Sequence, residues 1–113
     1  IDSEEKCLLL SPATIFSNIE KEINDLPNFN KNHRRIQRLI IGHAEDLELD
    51  SSGRILLPKP LRLVAEMSKK ITLIGQGQKF EIWSDDIWNN KVNKWRSEET
   101  DESETSILSD IRI

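Results

Sequence analysis

The sequence has little cysteine and no long apolar run, and both absences restrict what the chain can be. Cys7 is the single cysteine among 113 residues, so no disulfide can form within the chain. A lone thiol between Lys6 and Leu8 is expected to be a small buried apolar group. No apolar run approaches the roughly 20 residues needed to cross a bilayer, and no basic segment precedes an apolar stretch at the N-terminus. These absences predict a cytoplasmic protein without a membrane anchor.

Catalytic motifs are also missing from the sequence. There is no Ser-His-Asp arrangement and no phosphate-binding glycine loop, and Gly75-x-Gly77 lacks the third glycine and the helix that a dinucleotide site requires. The carboxylates at positions 45–50 could supply an acid and a base, but no partner group accompanies them. His33 and His43 have no Cys or acidic partner at ligand spacing. We therefore expect no enzyme, no metal, no cofactor and no small-molecule substrate.

The charges are unevenly distributed along the chain. The residues after Trp95 include two basic and six acidic side chains, which accounts for the net charge of −4, so the body through Trp95 carries 14 of each sign. A neutral body can still present a local basic face to a phosphate backbone. The segment from Arg96 to about Ser106 is acidic and rich in Ser and Thr, which predicts disorder.

The first part of the chain predicts a strand and a helical hairpin. The strand-like run Cys7–Leu10 needs partners that are either missing from the sequence or supplied by another chain, because an isolated strand is marginal in water. Ser11 and Pro12 are typical of a helix start, with the serine hydroxyl as cap. This helix is expected to end near Leu26, and its apolar stripe comprises Ile15, Ile19 and Ile23.

A second helix is predicted from Lys31 to Ile41, closed by Gly42 in a left-handed conformation. One face of this helix is apolar. The other face is basic, with Arg34, Arg35 and Arg38, and it could be a second phosphate contact, a solvated face or a subunit interface.

The second part of the chain predicts hairpins and two more helices. Leu47–Leu49 and Ile55–Leu57 are expected to form a hairpin. A short helix follows at Pro60–Met67. Strands are predicted at Ile71–Ile74 and Phe80–Trp83, and Ser84 is expected to cap a last helix. Trp88, Val92 and Trp95 lie along one face of that helix. The three tryptophans, Trp83, Trp88 and Trp95, could stack on bases but are expected to be core and interface anchors.

The most specific motif is the turn Asp50-Ser51-Ser52-Gly53-Arg54. Gly53 supplies the positive φ of a tight turn, and Asp50 can accept backbone N–H groups across it. Arg54 then leaves the turn with its guanidinium displayed on a fixed base. The alternative for Arg54 is a structural salt bridge to Asp50 or Glu48. Pro58 ends the following strand, and Arg62 lies on the next short helix.

At these residues the chain resembles the SpoVT-AbrB module, a swapped-hairpin DNA-binding fold, and within it the MraZ family. The resemblance runs from Cys7 to about Val92. It includes Arg35-Ile36-Gln37-Arg38, Ile41-Gly42-His43-Ala44, and the segment Leu73 to Trp83 followed by Trp88. In this chain Glu66 replaces a glycine that is typical of the family at the short helix end.

The resemblance implies an α+β fold: a swapped-hairpin, double-psi-barrel-like module with a connecting helical hairpin and a C-terminal helix. Residues 1–12 would be the remnant of a first SpoVT-AbrB module and 13–43 the helical connector. Residues 44–87 would be the second module, and 88–113 the C-terminal helix and acidic tail. The first Asp-x-x-Gly-Arg turn is expected upstream of Ile1.

The resemblance also implies a function. MraZ-like proteins are repressors that bind repeated promoter sites upstream of the division and cell wall gene cluster, as ring-shaped homo-oligomers. Arg54, Lys59 and Arg62 would contact double-stranded promoter DNA, on a turn shaped by Asp50 and Gly53, and the protein would be nucleoid-associated. Two alternatives stay open: an AbrB-type antitoxin whose tail binds a toxin, and a purely structural oligomerisation module.

Overall fold

The computed structural model describes residues 1–2, 4–98, 107, 110 and 111. Within these residues the strands are β1 (Leu8–Leu10), β2 (Ile71–Gln76) and β3 (Lys79–Ser84), and the helices are α1 (Ala13–Asn24), α2 (Lys31–Ile40), α3 (Lys59–Val64) and α4 (Asp85–Ser97). Helices combined with an antiparallel sheet confirm the predicted α+β class. Most of the segment expected to be disordered lies outside the described residues, but Arg96 and Ser97 still belong to α4.

Strand β1 finds its partner within the same chain. It pairs antiparallel with β3, with Leu8 opposite Ile82 and Leu10 opposite Phe80, and β3 pairs with β2 on its other side. The sheet order is therefore β1-β3-β2. The expectation that β1 needs a partner from outside this chain was wrong, because β3 supplies both the backbone hydrogen bonds and an apolar surface.

The core lies where this sheet meets the end of α3. Leu8 and Ile82 are 4% exposed and Ala65 is fully buried. Leu57 and Leu61 pack against them. The predicted remnant of a first module and the predicted second module therefore share one sheet and one small apolar core.

The β2–β3 hairpin follows the predicted pattern, with each strand two residues longer than expected. Its loop is two residues long, since Gln76 pairs with Lys79. Gly77 has a φ of 69° at the first loop position, as in the type II′ turns that match the twist of paired strands.

The predicted helical hairpin is confirmed, with a different start. Pro12 occupies the N-cap of α1, and no side chain caps this end, so the predicted serine cap was wrong. Asn30 caps α2, because its side-chain oxygen accepts hydrogen bonds from the backbone N–H groups of Asn32 and His33 at 2.9 and 3.2 Å. Gln37 Nε2 donates to two carbonyl groups at the end of the first helix, at 3.1 and 3.4 Å.

The end of α2 differs from the prediction. Gly42 is not in the left-handed region, where the described glycines are Gly53 and Gly77. Its lack of a side chain serves a close approach instead, since a Cβ there would lie 2.5 Å from the carbonyl oxygen of Arg38. The ring Nδ1 of His43 lies 3.1 Å from that same oxygen and closes the helix, a capping role that the sequence did not reveal.

Helix α3 is shorter than predicted because its chain reverses after Ala65. Glu66 has a φ of 53°, and the N–H of Met67 donates to the carbonyl of Arg62 at 2.9 Å. A left-handed residue followed by such a bond is a common helix ending that favours glycine. The substitution of Glu66 for a glycine therefore falls at a position where glycine has a physical advantage.

Helix α4 begins after Ser84 as predicted, but the Ser84 side chain makes no capping hydrogen bond. The first turn carries Asp85 and Asp86, where the helix dipole favours negative charge. Asp85 also accepts a 2.6 Å hydrogen bond from the Thr72 hydroxyl. The helix start is thus tied to β2 by a side chain that sequence reasoning did not single out.

Three tryptophans and a lysine join α4 to the N-terminal segment. Trp83 and Trp88 lie 5.5 Å apart between ring centroids, and Trp88 and Trp95 lie 5.9 Å apart. Lys91 Nζ is 5.8 and 5.9 Å from the centroids of Trp83 and Trp95 and 2.7 Å from a Glu5 carboxylate oxygen. The prediction that these tryptophans are anchors holds for the buried Trp83, whereas Trp95 is 52% exposed.

Candidate nucleic-acid interface

The turn at Asp50–Arg54 forms as the sequence predicts. Asp50 Oδ1 accepts hydrogen bonds from the backbone N–H groups of Ser52 and Arg54, both at 2.9 Å. The backbone closes the same turn, since the Asp50 N–H donates to the Arg54 carbonyl at 2.8 Å and the Gly53 N–H donates to the Asp50 carbonyl at 3.0 Å. A short carboxylate side chain thus fixes the base from which Arg54 projects.

Gly53 is required by the backbone conformation and not by space. Its φ is 75°, and a Cβ built there would meet no atom within 4 Å. A side chain at this position would therefore be strained without being crowded, because L-residues are disfavoured in the left-handed region.

The Arg54 side chain is exposed, beside a shallow hollow of about 370 Å³ that Glu48, Asp50, Ile55 and Leu56 also line. In the described part of the chain, its guanidinium lies within 4.0 Å of no carboxylate. The salt bridge to Asp50 or Glu48, the alternative raised from the sequence, is therefore not observed. Asp50 instead binds the backbone N–H of Arg54, so the turn displays the guanidinium and does not pair with it.

The flanking residues do not form the predicted hairpin strands. Residues 44–50 and 54–58 have no strand assignment, although the turn between them is closed. Leu49 and Leu56 are 68% and 83% exposed. The predicted hairpin strands do not form in this chain, because the two segments have no strand partner among the described residues and an isolated hairpin is marginal in water.

Lys59 and Arg62 lie three residues apart on α3, so they share one face of that helix. Both are exposed. Arg54 and Lys59 are five positions apart, so their Cα atoms are at most about 18 Å from each other in an extended chain. The structure thus joins Lys59 with Arg62 on one helix and places Arg54 on a separate turn.

Cys7 lies away from this interface, in the core. Its side chain is fully buried, as the sequence predicted. Burial raises the pKa of the Cys7 thiol to about 12, and the negative charge of Glu81 adds to this effect. The thiol is therefore neutral at physiological pH and unsuited to nucleophilic chemistry.

No helix within the described residues is long and apolar enough to span a membrane.

Comparison with known proteins gives this arrangement a family. Residues 40–110, which contain the turn, match the family described as "MraZ protein, putative antitoxin-like". Over 114 residues, the chain is 43% identical to the "Transcriptional regulator MraZ" of Marinomonas sp. (strain MWYL1), covering all of this chain and 76% of that protein. The chain belongs to the MraZ family. The resemblance inferred from the sequence is thereby confirmed.

Other MraZ relatives are more similar over a shorter length. The "Transcriptional regulator MraZ" of Legionella pneumophila (strain Corby) is 50% identical over 99 residues, which cover 88% of this chain and 65% of that protein. The protein of the same name from Alkalilimnicola ehrlichii is 47% identical over 98 residues, 87% of this chain and 65% of that protein. This MraZ chain thus spans about two thirds of the length of these relatives.

Proposed function

We propose that this MraZ-family protein is a sequence-specific DNA-binding transcriptional regulator and not an enzyme. The observation that carries the proposal is the hydrogen-bonded turn that displays an exposed Arg54. Relatives that match most of this chain are named transcriptional regulators. The proposed action is steric repression at a promoter, in the cytoplasm and at the nucleoid. The proposed targets are repeated sites upstream of the division and cell wall gene cluster.

Three basic side chains take different roles in this proposal. Arg54 reaches base edges in the major groove or the adjoining phosphates, because a guanidinium can donate two parallel hydrogen bonds to guanine or to a phosphate. Lys59 and Arg62 contact phosphates and position the protein on the duplex. Asp50 and Gly53 do not contact DNA; they hold the turn.

The exposed leucines support an assembly of copies. Leu49 and Leu56 lie on the unpaired segments beside the turn, at 68% and 83% exposure. The proposed partner is the matching segment of a second copy, which would complete a hairpin interlocked with this one. Repetition of that contact around a ring would present several turns to successive DNA repeats, and linked weak contacts bind more tightly than single ones.

The domain organisation is part of the proposal. Residues 44–87 act as the second SpoVT-AbrB module, 13–43 as its helical connector, and 88–113 as a C-terminal helix and tail. Residues 1–12 belong to a first module. The pairing of β1 with β3 supports an arrangement in which two modules are interlocked and not merely tethered.

DNA binding is tested by fluorescence anisotropy with a duplex that carries the promoter repeats and a scrambled duplex, at 50 and 200 mM salt. We expect the affinity to fall as salt rises. We expect Arg54→Ala to weaken binding to the repeat duplex by about 5- to 150-fold, the effect of about 1–3 kcal/mol for one specific contact. Lys21→Ala, which removes an exposed positive charge from α1, is the matched control. No salt dependence, together with no effect of Arg54→Ala, would overturn the DNA-contact assignment.

The assembly is tested by size-exclusion chromatography with light scattering. We expect a mass several times the 13.1 kDa of one chain, and a smaller mass for Leu56→Glu. Ser52→Glu adds the same charge on the neighbouring turn without removing an apolar side chain, and it should leave the mass unchanged. A stable monomer for the unmodified chain would contradict the ring.

A second candidate function is an AbrB-type antitoxin, in which a DNA-binding module carries a tail that wraps a toxin. The family description includes the words "antitoxin-like", and the acidic residues after Trp95 are consistent with a basic partner. An antitoxin of this type is expected to be a dimer, so the same mass measurement separates it from a ring.

A further inference from the structure

Helix α2 presents a dense basic stripe. At 100° per residue, the four cations of α2 fall within an arc of about 100° around the helix axis; they are Lys31, Arg34, Arg35 and Arg38. Ile36 and Ile40, both half-buried, lie on the opposite side of α2. The stripe is about 10 Å long at 1.5 Å per residue.

The three arginines of this stripe have no carboxylate beside them in the described part of the chain. The chain has 20 acidic residues, yet none lies between Leu26 and Ala44. Arg34, Arg35 and Arg38 are exposed. Among the described residues, no carboxylate comes within 4.0 Å of any of the three guanidiniums. Within these residues the fold therefore concentrates positive charge without a neighbouring counter-ion.

The helix that carries the stripe is held firmly. The Asn30 cap fixes its first turn, and Gln37 bonds to α1 from its middle. Arg34 and Arg38 border a shallow open hollow of about 400 Å³, which Asn28 and Gly42 also line. The guanidiniums thus project from a fixed base at the rim of a concave surface, and a fixed base lowers the entropic cost of binding.

We propose that this α2 stripe, comprising Lys31, Arg34, Arg35 and Arg38, is a second DNA contact, which binds the phosphates of one strand without reading sequence. The inference rests on the proposed function and adds a surface to it. The phosphates of one DNA strand are spaced about 3.4 Å apart along the DNA axis, so a stripe of about 10 Å matches about three of them. Arginine guanidiniums suit this task because they pair with phosphate oxygens in a bidentate way.

The test compares the unmodified chain with the triple variant Arg34→Gln, Arg35→Gln, Arg38→Gln. The salt dependence of binding is measured on the repeat duplex and on the scrambled duplex. The slope of log affinity against log salt should become shallower by about 0.9 for each phosphate that the variant no longer neutralises. Affinity should fall by a similar factor for both duplexes, whereas Arg54→Ala should affect the repeat duplex more.

Two control variants isolate the position and the chemistry of the stripe. Lys21→Gln, Lys69→Gln, Lys70→Gln removes three exposed positive charges elsewhere and should change the slope less than the arginine variant does. Replacement of the three stripe arginines by lysine keeps the charge, so most of the slope should be retained. Circular dichroism checks that each variant is folded.

The outcomes separate this inference from the proposed function. If the unmodified chain binds neither duplex, the proposed function fails. If it binds both with a salt slope that the glutamine variant retains, only the role of the stripe is overturned. If the glutamine variant instead changes the mass in light scattering, the stripe is an interface between copies, and the inference is equally overturned.

Discussion

The backbone at Glu66 leads to a prediction about stability. Glu66 has a φ of 53°, the single positive value among the described non-glycine residues. A left-handed backbone costs a residue with a Cβ roughly 1–2 kcal/mol, and glycine does not carry this cost. The greater freedom of glycine in the unfolded chain offsets part of the gain, by about 0.4–1 kcal/mol. We therefore predict that Glu66→Gly is more stable to unfolding than Glu66→Ala by about 1 kcal/mol.

Comparing these two variants removes a second effect from the measurement. Glu66 also pairs with Lys6 at 3.3 Å, with both side chains more than half exposed, and such a pair contributes about 0–1 kcal/mol. Because glycine and alanine both lack the carboxylate, its removal cancels in their difference. The assay is urea unfolding followed by tryptophan fluorescence, at one protein concentration, since association shifts apparent stability.

In a control pair of variants, the stability difference between alanine and glycine should have the opposite sign. Asn18 is exposed in the middle of α1, where alanine is favoured over glycine by about 1 kcal/mol. Asn18→Ala should therefore be more stable than Asn18→Gly. If alanine at position 66 also proves as stable as glycine, the left-handed ending of α3 is not the conformation of this residue, and the reasoning fails.

Three further predictions concern other side chains. Lys91→Ala removes the 2.7 Å ion pair with Glu5 and the contacts with two tryptophan rings, so it should destabilise the fold by about 1–2 kcal/mol. In a double-mutant cycle with Glu5→Gln, additive losses of stability would contradict a direct coupling between the two side chains. Because burial raises the pKa of the Cys7 thiol to about 12, iodoacetamide should not label the folded protein at pH 8. Labelling should increase as the pH approaches 12 or when denaturant is added. Rapid labelling at pH 8 would show that the thiol is accessible. Asp50→Ala removes the acceptor of two backbone N–H groups, so it should weaken DNA binding nearly as much as Arg54→Ala does. Asp50→Asn keeps an acceptor oxygen and should therefore bind DNA more tightly than Asp50→Ala.

Local sequence patterns predicted most of the elements because each depends on neighbouring residues. The sequence pattern predicted both ends of α1 to within about two residues. Gly53 and Asp50 specified a turn that closes as expected, since the carboxylate and the positive φ act within five residues. The motif around Arg54 could therefore be located from the order of its residues alone.

Features that depend on distant residues could not be predicted in the same way. The pairing of β1 with β3 joins Leu8 to Ile82, and no periodicity in either segment specifies that choice. The prediction of a hairpin around the Asp50–Arg54 turn was wrong for a different reason. Leu47 and Leu49 have the alternation of a strand, but strand formation needs a covering surface that the described part of this chain does not supply.

Helix ends were predicted less well than helix bodies. Ser11, Ser84 and Gly42 are residue types that are common at helix ends. In the structure, however, Pro12 takes the N-cap of α1, and the Ser84 side chain makes no capping bond to α4. Gly42 allows a close backbone approach and is not in the left-handed region. Residue preferences at helix ends are statistical, so the local packing decides among several acceptable solutions.

The pairing of Leu8 with Ile82 also determines when the sheet can form during translation. The partner of β1 emerges about 74 residues after it, which takes a ribosome roughly 4–15 s at 5–20 residues per second. During that interval the nascent strand exposes an unsatisfied edge that can capture other extended chains. The helical hairpin, whose contacts are close in sequence, can form meanwhile, so the sheet is expected to assemble after the hairpin.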